Sequence, residues 1–380
     1  MKRIRPIDRI VLACSGDLVT SVAIPWLAER YGAEVVTVTV DVGQGEALDD
    51  VRERALAAGA VRAHVIDARD ELARHFILPA LGAGALDEGG EAFAVPLARL
   101  LVARHLVATA ALEQASAVAH GAADAAAGEK LTRLVRSLHP RLRVLAPACD
   151  WKLTRPAQIA YARGSDIPVL EPVERPVMVS SNLWGRTART SLAGADTSLL
   201  TTHLLRAVPP PSTPALVALR FEHGVPVAIN DVEMPLVDLI DSLATIARTH
   251  GVGRVEMLTL SAGLERIAIE APAAAVLRTA CRELRAATLP AHVRRIAPDL
   301  AADVADFIVT GRWFTPEREA LDAVLTTTRD RLTGTVRLQL FKGACRVVDC
   351  EVSEPARDRD AADDPVPRAT AREPIAQVQA

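Results

Sequence analysis

The chain has 380 residues, half of them apolar and 3% aromatic, with a formal net charge of −3. That much aliphatic residue excludes a globally disordered chain, and the slightly acidic balance offers no basic field for nucleic acid. No window reaches the roughly 18 uninterrupted apolar residues of a membrane span.

The basic start, "MKRIRPIDRIVLACSG", is too short in its apolar run for a secretory signal. Short, β-branched and nearly continuous apolar runs then predict buried parallel strands. They are "RIVLA" (10–13 at its core), "EVVTVTV" (34–40), "RAHVIDA" (62–68), "SAVAHG" (116–121) and "RVLAPA" (143–148). Between them "VTSVAIPWLAERYG", "EALDDVRERALAAG" and "ARLLVARHLVATAALEQA" carry apolar residues at helical spacing. The alternation predicts an α/β fold, a doubly wound parallel sheet over residues 1–170, with ligands at the carboxyl ends of its strands. A second, α+β domain is expected over 171–350. It holds a proline-rich linker (191–215), a hairpin at His223-Gly224, a helix near 235–250, the strand "GRVEMLTL" and an antiparallel pair over 333–352. Residues 351–380 hold seven acidic residues, four Arg, four Pro and no aromatic, and predict a disordered polar tail. The five cysteines, Cys14, Cys149, Cys281, Cys345 and Cys350, lack C-x-x-C spacing. Neither a disulfide framework nor a metal site is expected from them, and the plain expectation is a cytoplasmic protein with reduced thiols.

The loop "ACSGDLVTS" (13–21) lies between a strand and a helix, where backbone amides and a helix N-terminus cradle phosphates. Ser15, Gly16, Thr20 and Ser21 suit that role. Asp17 does not, because a carboxylate about 4 Å from a phosphate costs a few kcal/mol at an effective dielectric of about 20. The residues leave two readings open, a phosphate site and an Asx or Ser cap on the following helix. The turn at Gly43-Gln44 falls on the same sheet edge and also suits chain reversal alone. His120-Gly121 ends a strand and opens the Ala-rich run "AADAAAG", which offers little for acid–base work, and the other histidines show no metal spacing.

Taken together, the segments resemble the argininosuccinate synthase family over roughly residues 8–350. The match runs through the opening "IVLACSGDLVTSVAIPWLAERYGAEVVTVTVDVGQGEAL", then "FILPALGAGALDEG", "LARLLVARHLV", "AVAHG", "NLWGR", "GVPVAIND", "HGVGRVEML", "IEAPAAAVL", "GRWFTPEREALDAVL" and "TGTVRLQLFKG". The resemblance implies a nucleotide-binding domain of the ATP pyrophosphatase (adenine nucleotide alpha hydrolase-like) type, followed by a synthetase domain that drives tetramerisation. It implies an ATP-dependent, AMP-forming carbon–nitrogen ligase of arginine biosynthesis that adenylates citrulline, joins it to aspartate and releases pyrophosphate. ATP with Mg is the implied cofactor, and Ser15, Gly16, Thr20, Ser21, Gly43, Gln44 and Gly121 are its expected contacts. No nucleic-acid or membrane partner is implied.

The same resemblance exposes departures. The family loop Ser-Gly-Gly-Leu-Asp-Thr-Ser carries Asp17 for its second Gly and Val19 for its Asp. A Tyr and a Thr that contact substrate fall on Glu91 and Val95. The Thr, Asn, Asp and Arg of the motif beginning at His120 fall on Ala123, Ala127, Gly128 and Leu131. A Ser falls on Met178, an acid on Arg189, a Glu on Thr259 and a Tyr on Ile269, and only Thr187 keeps its hydroxyl. Each lost hydrogen bond to a charged amino-acid end is worth about 1.5–3 kcal/mol, whereas a millimolar site has only about 4 kcal/mol. Val19 also offers no acidic support to a metal-bridged triphosphate. Three readings follow. One is a non-catalytic member acting as a structural or regulatory subunit, as a homo-oligomer or with an active relative. Another is a repurposed ligase using new charges at Asp17, Glu91, Asp124, Glu129, Lys130 and Arg189. The third is an ordinary argininosuccinate synthase with an unusual site.

Overall fold

Strands that are apolar on both faces need cover on both faces, and the amino-terminal half supplies it. In the computed structural model, which describes residues 7–45, 47–85, 93–122, 125–151, 154–168, 177–191, 209–259, 265–353 and 355, five strands are parallel. They are β1 (Arg9–Ala13), β2 (Glu34–Asp41), β3 (Arg62–Asp67), β4 (Ala117–His120) and β5 (Arg143–Leu145). Their order is β3-β2-β1-β4-β5, with Leu12 beside Thr37 on one side and Ala119 on the other. The strand period of two sorts alternate residues to the two faces. Ile10, Leu12 and Val35 face one core with Val22, Ile24 and Leu27. Val11, Val36 and Val38 face another with Leu97, Leu101 and Leu106. Each such side chain contributes about 1.5–3 kcal/mol when fully buried.

The helices of this half are α1 (Leu18–Tyr31), α2 (Leu48–Ala57), α3 (Arg69–Leu72) leading through a π turn (Ala73–Ile77) into α4 (Leu78–Ala83), α5 (Ala94–Leu112), α6 (Ala125–Leu138), α7 (Pro147–Trp151) and α8 (Arg155–Gly164). Helix α1 stops at Gly32, whose φ of 61° is a left-handed cap that glycine adopts without strain. Helix α5 is long and apolar enough to cross a bilayer by length and composition, and here it packs on β1, β2 and β4 as a core helix. At its end, Glu113 is buried among Arg9, Arg62 and His64. Burial alone would raise that carboxyl, but hydrogen bonds from Arg62 and His64 hold it below its usual range. The predicted strand 143–148 ends at Leu145, because Pro147 fits the first turn of a helix and opens α7.

The carboxyl-terminal half is α+β and has two antiparallel sheets. It contains β6 (Met178–Asn182), β7 (Gly185–Ser191), β8 (Ala215–Glu222), β9 (Val225–Ile229), β10 (Val232–Glu233), α9 (Leu236–Thr249), β11 (Arg254–Thr259), β12 (Glu265–Glu270), α10 (Pro272–Thr288), α11 (Ala291–Thr310), α12 (Pro316–Arg329), β13 (Gly334–Phe341) and β14 (Ala344–Val352). One sheet runs β10-β9-β8-β13-β14 and the other β11-β12-β7-β6. His223 and Gly224, at φ 50° and 73°, make the two-residue β8–β9 turn whose twist matches that of paired strands. Helix α10 lies on β13 and β14, and its Val276, Leu277 and Leu284 share one core with Phe221, Val336 and Leu338. That core continues without a break into the α5 side of the parallel sheet. Residues 351 and 352 belong to β14, so the boundary predicted at 351 falls inside a strand. The remainder of that tail, apart from 353 and 355, and residues 192–208 of the predicted linker lie outside the described residues.

Candidate functional site: the first strand–helix loop and the cleft beside it

In a sheet ordered β3-β2-β1-β4-β5, connections leave β1 and β4 in opposite directions, and a crevice opens at their carboxyl ends. The loop after β1 stands there. Gly16 has φ 76°, and a Cβ on it would lie 2.7 Å from Val51 Cγ2, so this turn against α2 requires glycine. Asp17 is the N-cap of α1. Its Oδ1 accepts the backbone N–H of Thr20 at 2.8 Å and the Thr20 hydroxyl at 2.7 Å. Ser15 Oγ lies 3.3 Å from Thr20 Oγ1, and Ser21 is buried. The cap is present: the N-terminus of α1 holds the Asp17 carboxylate.

Gly121 meets the same turn from β4. A Cβ there would lie 2.5 Å from Thr20 Cγ2, so Ser15, Thr20 and Gly121 do converge. Gly43 and Gln44 serve a different contact. Gln44 Oε1 accepts the N–H of Val42 at 2.7 Å and Gln44 Nε2 donates to Val40 O at 3.1 Å. Val42 O in turn accepts the N–H of Leu183 at 2.7 Å. A Cβ on Gly43 would lie 2.8 Å from that same Leu183 nitrogen, so this turn is a seam between the two halves. Asn182 completes the seam, with Nδ2 donating to Ala94 O at 2.6 Å and Oδ1 accepting from Trp184 N at 2.9 Å.

Helix α6 carries Ala127, Gly128 and Leu131. Gly128 is buried against the His120 ring, and Leu131, 7% exposed, has joined the apolar core. His120 is 1% exposed, and burial, with Arg99 nearby, pushes its pKa down to about 4. Val95 is half-buried in the first turn of α5. Glu91, Ala123 and Asp124 lie outside the described residues.

The second half gathers its own predicted positions through strand register. Met178 pairs with Arg189, and Arg189 with Ile267, which pairs with Met257. Ser180 pairs with Thr187, and Thr187 with Ile269. Because alternate residues share a face, Met178, Thr187, Arg189, Thr259 and Ile269 occupy one face of this sheet. Thr187 and Ile269 are buried, while Met178 is 60% exposed. What this face offers is hydroxyls from Ser180 and Thr187, the guanidinium of Arg189 and apolar side chains at Met178, Ile267 and Ile269. Sequence reasoning passed over Arg54, whose Nη2 would lie 3.0 Å from a Cβ on Gly16. A lone Arg on a helix surface gives no signal of that proximity.

Among the described residues no group of three or more His, Cys, Asp or Glu is placed to hold a metal ion. The loop offers a magnesium triphosphate little acidic support. Its one carboxylate is engaged by Thr20, and Val19 supplies no oxygen.

The architecture defines a two-domain protein of the HUP-type nucleotide-fold class. Residues 9–168 match the Arginosuccinate synthase N-terminal HUP domain and residues 179–362 the Arginosuccinate synthase C-terminal domain. The chain belongs to the argininosuccinate synthase family. It is 37% identical over 367 residues to the argininosuccinate synthase of Oceanobacillus iheyensis, covering 93% of this chain and 87% of that one. It is 41% identical over 346 residues to the argininosuccinate synthase of Rubrobacter xylanophilus, covering 89% and 84%. The argininosuccinate synthase of Symbiobacterium thermophilum is 40% identical over 349 residues, covering 88% and 86%.

Proposed function

We propose that this chain is an argininosuccinate synthase-family protein that does not itself join citrulline to aspartate, and that it serves as a non-catalytic assembly or regulatory subunit in the cytoplasm. The observation that carries this reading is the Asp17 carboxylate on the N-terminus of α1, bonded to Thr20 N–H and Oγ1. A phosphate entering there would have to displace that carboxylate and stay about 4 Å from it, at a cost of roughly 4 kcal/mol at an effective dielectric of about 20. The apolar residues at Val19, Leu131, Met178 and Ile269 support it from both halves. Its partner would be a second copy of the chain or an active relative, meeting it through the surfaces that the family resemblance assigns to tetramers.

One observation favours a second reading, a working argininosuccinate synthase. Identities of 37–41% run through both domains to proteins that carry that name. Incubation with ATP, Mg, citrulline and aspartate separates the two. The first reading expects no pyrophosphate above a no-enzyme control. Steady release that requires both amino acids would replace it with the second.

A further inference from the structure

Helix α10 packs on β13 and β14 and also on α4. On its remaining side Arg278 and Arg282 are exposed and Arg285 is half-buried. They stand at i, i+4 and i+7, so the three guanidiniums share one helix face about 10 Å long. Arg294 of α11 adds a fourth at the end of the row, where its Nη1 donates to Ala286 O at 2.5 Å. Arg285 Nη2 donates to Leu81 O at 2.9 Å, and its Nε is buried with no hydrogen-bond partner. Among the described residues no carboxylate pairs with any of the four, whereas Arg220, Arg248, Arg254, Arg312 and Arg337 are each paired. Like charges at i, i+4 repel. The one acid of the helix, Glu283, acts on Cys350 of β14. A row of cations left without counter-charge is a surface built for an anion.

The chain carries the matching charge close by. Strand β14 is the edge of its sheet and runs along α10. Near its start Cys345 meets Thr279 and Arg282. At its end Val352 lies beside Leu284, since a Cβ on Gly334 would be 3.0 Å from Val352 Cα and 3.1 Å from Leu284 Cδ1. The chain therefore leaves β14 next to Arg285. Seven residues beyond Ser353, within about 24 Å of extended chain, comes "DAADD" (360–364), with three carboxylates and no cation. Fully extended it spans about 13 Å, close to the length of the arginine row. We propose that the arginine row of α10 and α11 is an interaction surface for an acidic segment, and that its occupant is this chain's own Asp360–Asp364. Guanidiniums take carboxylates through paired, charge-assisted hydrogen bonds. The surface rests on α10 and on the charge of residues 360–364, not on the non-catalytic reading, so a pyrophosphate assay and the test of this surface fail separately.

The test is residue-resolved amide NMR of the full-length protein. At about 50 mM NaCl the signals of 360–364 should carry the broad lines of the folded body, while those of 376–380 stay sharp. They should sharpen at about 500 mM NaCl, because ion pairs near the surface are screened. Arg278→Gln/Arg282→Gln/Arg294→Gln should sharpen them already at low salt, and Arg278→Lys/Arg282→Lys/Arg294→Lys, which keeps the charge, should leave them broad. Sharp signals from 360–364 of the natural chain at low salt would overturn the proposal, as would broad ones that the Gln substitutions leave unchanged. Broadening that disappears on dilution would put the segment on a second copy and overturn its assignment to the same chain. Should the triple Gln variant fail to fold, Arg282→Gln alone, at an exposed position, decides: sharpened lines uphold the surface and unchanged lines overturn it.

Discussion

Leu131→Arg should lower the stability of the folded chain by about 3 kcal/mol, because it places an unpaired charge among apolar neighbours. Leu131 is 7% exposed and belongs to the core that includes Leu134, Val135 and Val118. An Arg is the residue that the family resemblance assigns to this position. A site still set up to use that Arg would keep acceptors nearby, and the substitution would then be tolerated. Leu131→Met is the control, expected to cost less than about 1.5 kcal/mol because it keeps both volume and polarity. Urea unfolding of the three proteins measures both differences. A midpoint for Leu131→Arg within error of the natural chain would show that the crevice still receives a cation there.

Acid should destabilise this protein earlier than carboxylate protonation alone explains, and His120 is the reason. Its folded-state pKa is about 4 against an ordinary value of 6.5. Between those values the unfolded chain binds the proton and the folded chain does not, so stability rises with pH. The contribution is fully present above about pH 6.5 and is lost as pH falls toward 4, amounting to about 3 kcal/mol over that interval. Glu113, held below its usual range by Arg62 and His64, adds its own loss only at the lower end of the interval and beneath it. Unfolding free energies at pH 7.0 and 4.5 for the natural chain and His120→Gln isolate the histidine, since other groups cancel in the comparison. The slope should be shallower in His120→Gln. Equal slopes would mean that the ring is solvated and titrates normally.

The fold was legible in the sequence wherever burial on both faces wrote itself as an uninterrupted apolar run. The strands β1, β2 and β4 are such runs, β3 is read from a run whose residues are only half-buried or exposed, and "EHGVP" announces the β8–β9 turn through its demand for positive φ. Boundaries were lost where one residue overrules a run, as Pro147 does after β5. The succession α10–α11–α12 was not read from periodicity. Much of α11 is exposed and only Val304, Phe307 and Ile308 of it are buried, so its apolar stripe is short. At the site, the residues alone could not separate a cap from a phosphate loop at Asp17, because both use the same residue types at the same spacing. The Oδ1 contacts to Thr20 add the cap itself, which composition could not show. The shared face of Met178, Thr187, Arg189, Thr259 and Ile269 needed the register of four strands distant in sequence. The seam role of Gly43 needed Leu183, 140 positions away in the chain.

The most direct measurement is calorimetric titration of the natural protein with Mg-ATP beside an Asp17→Gly/Val19→Asp variant, which frees the α1 N-terminus and restores an acid beside it. The account predicts no saturable heat from the natural chain up to about 1 mM ATP, a limit of about 4 kcal/mol of binding, and micromolar binding by the variant. Micromolar binding by the natural chain, with Asp17 in place, would contradict it.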